Sequence, residues 1–414
     1  MVNAARYREG EKRMHPELVD TLVIPNDSKI VFLIMDGLGG LPGPEGQTEL
    51  ETALTPNLDA LAKKNICGLL DPVGYGITPG SGPAHFALFG YDPVRNNIGR
   101  GILEGAGIDF PMTPRDLLIR INFATVDHDG LIVDRRAGRI DNETNRRICR
   151  KLQEGMIAPD NVEVIFQPVK EHRAVLVLRG EDLAEELQET DPQQVGRPPL
   201  PPLALTPAAA ATAKVLTDVV AQAGRILADE PKANMMLLRG YARYRRYPSL
   251  AERYRLNALA IAGYPMYRGI ARLLGMNITA PTETVAEEIA LLKQEYDRYD
   301  FFFVHVKATD SRGEDGDFPA KVRVIEEVDA LLPEITALKP DVLVVTGDHS
   351  TPAALASHSW HPVPVILAAP TCRPDLVSYF SERDCIRGGL GRMPMMYLMA
   401  QALAHARRLD KFGA

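Results

Sequence analysis

The sequence predicts an α/β protein in which helices cover both faces of a parallel sheet and a smaller α+β domain is inserted into that core. Three observations carry the prediction. Apolar runs rich in β-branched residues stop abruptly at acidic or glycine-rich turns, helical periodicity fills the stretches between or after them, and the texture changes from about Asp116 to Tyr254. A strand buried on both faces reads as a continuous apolar run, and alternation of such runs with helices marks parallel pairing.

The elements follow in chain order. Lys29–Met35 is the first buried strand and ends at Asp36-Gly37-Leu38-Gly39-Gly40. Thr55-Pro56 opens a helix over Thr55–Asn65, with proline at the first helical position, where its missing N–H is harmless. The inserted domain supplies shorter, alternating strands at Leu118–Val126, Leu131–Val133, Val162–Pro168 and Arg173–Arg179. Arg197–Pro202 is proline-rich and reads as an extended connector rather than an SH3-type ligand, and the alanine-rich Pro207–Asp229 is a helix. The core resumes with a helix over Thr284–Tyr299, a strand over Tyr299–Lys307 closed by Ala308-Thr309-Asp310, and a helix over Asp317–Leu338. A third strand, Asp341–Thr346, is closed by Gly347-Asp348-His349. The expected organisation is a discontinuous core, residues 1–115 and 255–414, around an insertion at 116–254.

Composition excludes several classes. At 414 residues, with 45% hydrophobic and 24% charged residues, the chain has ordinary globular balance and length for a large core. No apolar run approaches the roughly 20 residues of a membrane span, and Met1–Met14 lacks the apolar core of a secretory signal. Four scattered cysteines form no CxxC pair, so a reducing cytoplasm is the expected setting. Net charge is −7 without a basic tail, which argues against nucleic acid as a partner. Arg243, Arg245 and Arg246 read as a solvated face. A small anionic substrate remains compatible, because a few focused arginines make a local positive site. A homo-oligomer is compatible with this composition.

Chemistry concentrates where buried strands end, the place where ligands bind in open α/β sheets. Asp36 follows the first run, Asp310 and Glu314 the Tyr299–Lys307 run, and Asp348 with His349 the Asp341–Thr346 run, with His358 shortly after. Mixed carboxylate and imidazole donors suit manganese, zinc or a similar ion. The acids of Asp310–Asp317 lack EF-hand order. Ser81 lies in Thr78-Pro-Gly-Ser-Gly-Pro-Ala-His85, between two glycines at the expected start of a helix, where free amides favour a phosphate. It lacks the G-x-S-x-G spacing of a hydrolase elbow.

Taken together, Met35-Asp36-Gly37, Pro79–His85, His305–Asp310, Thr346–Ser350 and His358 resemble the archaeal-type 2,3-bisphosphoglycerate-independent phosphoglycerate mutases of the alkaline phosphatase superfamily. Asp134-Arg-Arg-Ala-Gly-Arg139 and Gly388-Gly-Leu-Gly-Arg392 extend the resemblance over most of the chain. It implies an alkaline-phosphatase-like core, one metal at Asp36, Ser81, Asp348 and His349, and another at Asp310, Glu314 and His358. Glu314 departs from the family, whose members usually carry histidine there. The exchange favours harder ions such as manganese or magnesium, with zinc and cobalt as other candidates.

The implied reaction interconverts 3-phosphoglycerate and 2-phosphoglycerate through phosphoserine at Ser81, a step of glycolysis and gluconeogenesis. Water must be excluded while the phosphoserine exists, and closure of the inserted domain is the expected means. Guanidinium forks match carboxylate and phosphate. Arg135, Arg136, Arg139, His172, Arg173 and Arg239 are candidates, as are Arg268 and Lys307, while His85 orients the Ser81 loop or serves packing. Two alternatives stand beside the mutase. One is a metal-dependent phosphatase or phosphotransferase of the superfamily acting on another phosphate ester, and the other is a binding protein that has lost full metal binding at Glu314.

Overall fold

The computed structural model of the protein describes residues 16–96 and 98–413. Its strands, in chain order, begin with β1 (Ile30–Met35) and β2 (Ile66–Asp71). Next come β3 (Asp116–Val126), β4 (Ile132–Asp134), β5 (Glu163–Lys170), β6 (Arg173–Arg179) and β7 (Met235–Arg243). The last group is β8 (Ala258–Ala262), β9 (Asn277–Ile278), β10 (Phe301–Val306), β11 (Val342–Thr346), β12 (Val363–Ala368) and β13 (Gly391–Pro394). The described residues divide into two compact units, one of 16–96, 249–263 and 275–413, the other of 98–248 and 264–274.

The first unit is built on an eight-stranded sheet in the order β13-β2-β12-β11-β1-β10-β8-β9. The three apolar runs prominent in the sequence are its adjacent centre, β11-β1-β10, paired in parallel with Ile30 opposite both Phe301 and Val342. Every residue of those strands is buried, which is why they lack the alternation of a half-exposed strand. Helices lie where periodicity places them. Pro56–Ala62 has Pro56 in its first turn, Val285–Glu295 is opened by a Thr284–Glu287 capping box, and Phe318–Thr336 is capped by Asp317. The remaining strands carry weaker signals: β8 is Ala-Leu-Ala-Ile-Ala, β12 contains Pro364, and β13 is four residues long.

The second unit is an antiparallel sheet in which β3 pairs with β4, β6 and β7, and β6 with β5. Its core joins one face of that sheet, including Ile119, Phe123 and Leu176, to the helices Asn142–Gly155 and Ala210–Ile226. Arg197–Pro202 is a connector without regular structure. The helices Arg100–Gly107 and Pro265–Leu273, outside the stretch read as the insertion, pack on one another within this unit. Among the described residues no helix is long and apolar enough to cross a membrane, and the four cysteines are free thiols.

Candidate active site

Topology gathers the strand-end residues. Because β11, β1 and β10 are parallel neighbours, the turns after them leave one edge of the sheet. β12 is antiparallel to both β11 and β2, so β2 runs in the same sense as β11. The loop leading to Ser81 therefore leaves that same edge, and the segment carrying His358 enters β12 from it.

Two groups of donor atoms converge there, Asp36 with Asp348 and His349, and Asp310 with His349 and His358, each within 4.8 Å of one another. His349 belongs to both. Its Nε2 lies 3.3 Å from Asp36 Oδ1, 3.1 Å from Asp348 Oδ2 and 3.4 Å from Ser81 Oγ. The His358 ring stacks on His349 at 3.7 Å between centroids, and its Nδ1 donates to the Pro79 carbonyl at 3.0 Å. That bond leaves His358 Nε2 facing Asp310 Oδ1 at 3.7 Å and Glu314 Oε1 at 3.8 Å. Glu314 lies outside both convergent groups, with its side chain 54% exposed. Partial burial and the Asp310 carboxylate raise its pKa.

Ser81 begins the helix Ser81–Leu88, whose N-cap, Gly80, offers no side-chain bond. The Ser81 and Gly82 amides are thus available to an anion, Pro83 having no N–H and Ala84 donating to the Gly80 carbonyl. His85, one turn on, donates from Nδ1 to the Ser81 carbonyl at 2.8 Å and sits 3.3 Å from Asp348 Oδ2. Further back, Arg392 pairs bidentately with Asp71 at 2.7 and 2.8 Å and lies over the Tyr75 ring, tying down the loop before Ser81. The glycines of Gly388–Arg392 serve that approach: a Cβ on Gly388 would stand 2.1 Å from the Cys67 carbonyl oxygen.

The charges explain why these groups suit a cation. Asp36, Asp348 and His349 are wholly buried, and both Asp36 oxygens and Asp348 Oδ2 lack a hydrogen bond of good geometry. Burial opposes ionisation of Asp36, yet Lys307 and His305 hold its pKa well below the usual carboxylate range. Burial and the Asp36 charge push Asp348 up, and burial lowers His349 to about 3, leaving a neutral imidazole. Lys307 Nζ stands between the two groups, 3.1 Å from Asp36 Oδ2 and in contact with Asp310. Lone pairs converging on buried space, from mixed oxygen and nitrogen donors, fit one or two divalent ions.

In the second unit a cavity of about 360 Å³ is lined by Arg120, Asn122, Arg135, Arg136, Arg139, Lys170, Glu171, His172, Arg173 and Arg239. Asp134 builds the turn that delivers three of them, accepting from the amides of Arg136 at 2.7 Å and Gly138 at 2.5 Å. Ala137, Gly138 and Arg139 consequently all have positive φ, and glycine takes this conformation readily. Buried Asp191 pins Arg135 through two bonds, at 2.9 and 2.7 Å, and lies 3.4 Å from Arg239. Burial and Arg173 lower His172 to about 4. Arg268, on the helix Pro265–Leu273, does not line the cavity, and Lys307 lies in the other unit.

The sequence profile of the 2,3-bisphosphoglycerate-independent phosphoglycerate mutases matches residues 62–233. A probable enzyme of that name from Aquifex aeolicus is 47% identical, spanning 96% of this chain and all of its own. Another, from Thermus thermophilus, is 49% identical over 94% of this chain and 96% of its own. The chain belongs to this family. Among solved structures, the cofactor-independent phosphoglycerate mutase of Thermoplasma acidophilum has a TM-score of 0.71 at 30% identity, covering 92% of this chain and all of that one. A Pyrococcus horikoshii protein has a TM-score of 0.78 at 28% identity, covering 94% of this chain.

For this member of the mutase family, several residues of the two clusters escape the sequence reading. His305, fully buried on β10 with Nε2 3.4 Å from Asp36 Oδ2, enters there only as the first residue of the His305–Asp310 motif, without a role at the site. Arg120 and Asn122 do carry a signal, two polar residues at i and i+2 within an apolar strand, hence on one face. Lys170, Glu171 and Asp191 carry none.

Proposed function

We propose that the protein interconverts 3-phosphoglycerate and 2-phosphoglycerate through a phosphoserine on Ser81, without 2,3-bisphosphoglycerate. The observation that carries this reading is the placement of Ser81 Oγ, at an uncapped helix N-terminus and 3.4 Å from a buried imidazole that belongs to both carboxylate–histidine groups. Asp36, Asp348, His349 and Ser81 would hold one divalent ion, and Asp310, His358 and His349 or Glu314 a second, with manganese the ion best matched to the donors. Such ions, when bound, lower the pKa of a ligated hydroxyl and offset charge on a transferring phosphoryl group.

The chain's own groups do the rest. Ser81 Oγ gives up its proton as it attacks phosphorus in line with the glycerate oxygen, which leaves and is protonated in turn, and the Ser81 and Gly82 amides meet the phosphoryl oxygens. The glycerate stays bound, turns, and its other hydroxyl takes the phosphoryl group back from Ser81. Retention through that turn requires a grip on the carboxylate that does not depend on the phosphate. Arg135, Arg136, Arg139, Arg173 and Arg239, with His172, are the groups suited to it, together with Arg120 and Lys170. Lys307, set between Asp36 and Asp310, is a cation for the reacting end rather than for the carboxylate. The small phosphorylated acid is the expected partner and the cytoplasm the expected location.

The test is incubation with 3-phosphoglycerate and manganese in the absence of 2,3-bisphosphoglycerate, following 2-phosphoglycerate and free phosphate together. Equilibration of the two phosphoglycerates with little phosphate release is expected. Predominant release of phosphate would assign the protein to hydrolysis of phosphate esters instead.

A further inference from the structure

Thr351, two residues beyond His349, is fully buried and follows β11 in the turn Gly347–Thr351. Its hydroxyl donates to Asp310 Oδ1 at 2.6 Å and lies 2.9 Å from His349 Nδ1. One hydroxyl touches a member of each candidate ligand group. A hydroxyl has a single proton. Asp310 already accepts from Lys307 through its other oxygen, so it is an acceptor toward Thr351 as well. The hydroxyl proton being committed to Asp310, the Thr351 oxygen can only accept from His349, and His349 must carry its proton on Nδ1.

The consequence runs against local electrostatics. With Nδ1 protonated, Nε2 presents a lone pair to Asp36 Oδ1 at 3.3 Å and Asp348 Oδ2 at 3.1 Å. A neutral imidazole left to itself beside the Asp36 carboxylate would turn an N–H toward it. An arrangement that denies it that proton is poised for a cation.

Thr351 is itself held in place by the turns it joins. Its amide donates to the carbonyls of Gly37 at 3.2 Å and Gly39 at 3.1 Å. Lys321, buried on the helix Phe318–Thr336, spends its ammonium donors on the carbonyls of Gly37 (2.9 Å), Gly39 (3.1 Å) and Thr351 (2.8 Å). The turns after β1 and β11 are thereby stitched around one ammonium, and a Cβ on Gly37 would strike Thr351 Oγ1 at 2.6 Å.

We infer that Thr351 is a positioning residue, whose hydroxyl fixes the Nδ1–H tautomer of His349 and sets its distance from Asp310, so that Nε2 is kept as a ligand for a divalent ion. The inference rests on the metal reading above, although the tautomer it assigns is a property of the metal-free chain. Groups that orient a ligating histidine typically govern metal affinity by about 10–100-fold.

The test uses the full-length protein stripped of metal with a chelator. Imidazole 15N shifts, with His349 assigned by comparison with His349→Gln, report the tautomer, and calorimetric titration with Mn2+ reports affinity. Wild type should show Nδ1–H at His349. Thr351→Val should move the proton to Nε2 and weaken Mn2+ binding about 10–100-fold, while Thr351→Ser, which keeps the hydroxyl, should restore both. An Nε2–H tautomer in the wild type would overturn the inference even if the valine variant did not fold. A folded Thr351→Val with unchanged tautomer and Mn2+ affinity would overturn it as well. Failure of the wild type to bind Mn2+ would instead defeat the metal reading, and the tautomer measurement would still decide this one.

Discussion

Ser81 Oγ faces His349 Nε2 at 3.4 Å from a position half-buried at a helix start, so Ser81→Ala takes away the proposed phosphoryl acceptor and little packing. Mutase turnover should fall by at least about 1,000-fold with the melting temperature nearly unchanged, as assay and thermal denaturation would show. Substantial residual turnover would move the nucleophile elsewhere. In the arginine cavity, Asp191 is the buried anchor of Arg135 and lies beside Arg239. Asp191→Asn should raise the KM for phosphoglycerate about tenfold, a loss of roughly 1.4 kcal/mol of binding, with a smaller change in kcat. Equal KM values in initial-rate measurements would mean that the two arginines do not grip substrate. Glu314, half-exposed and 3.8 Å from His358, should tolerate Glu314→His with activity kept and metal preference altered. Activation profiles over manganese, magnesium, zinc and cobalt that coincide with wild type would exclude it as a ligand.

At the scale of elements, the Gly388–Arg392 motif acts through close approach. A side chain at Gly388 would meet the Cys67 carbonyl at 2.1 Å, so Gly388→Ala should pry β13 from β2 at a cost on the order of 3 kcal/mol. The same change should loosen the Arg392–Asp71 pair behind the Ser81 loop, and chemical denaturation read beside turnover would register both effects. A second element carries a pH signature. Glu288, in the helix Val285–Glu295, is pushed up to about 8, first by burial and then by nearby acids, with Thr282 opposing. The folded chain thus keeps a proton that the unfolded chain releases near the ordinary value. The stability this contributes is present below the unfolded pKa and is lost as pH rises through about 8. Glu288→Gln should therefore be more stable than wild type at pH 9 and should lose that advantage near pH 4. Melting curves displaced equally at both pH values would contradict the assignment.

For the whole molecule, retention of the glycerate is what distinguishes isomerisation from hydrolysis. Substrate labelled both in its phosphoryl oxygens and in its glycerate carbons, mixed with unlabelled substrate, should give product without scrambled pairs. Scrambling would show that glycerate leaves before the phosphoryl group returns. Chelation should abolish turnover and added manganese restore it, as expected if the buried oxygens of Asp36 and Asp348 await a cation.

The sequence displayed the central strands, because full burial on both faces demands unbroken apolar runs, and it displayed Asp36, Asp348 and His349, because a polar residue ending such a run is conspicuous. It displayed the arginines of Asp134–Arg139 through a short local pattern. It displayed His305 only as the first residue of a motif, with no role, because a fully buried strand conceals what the side chain meets, and it did not display Asp191, which lies 56 residues from the Arg135 it anchors. Nor did it reveal that Thr351 bridges Asp310 and His349, or that Lys321 stitches two distant turns. Local composition records what each segment must bury, and that requirement is written residue by residue. Which donor meets which acceptor across 41 or 284 positions of chain depends on strand order and register, and those are fixed only when the sheet has formed.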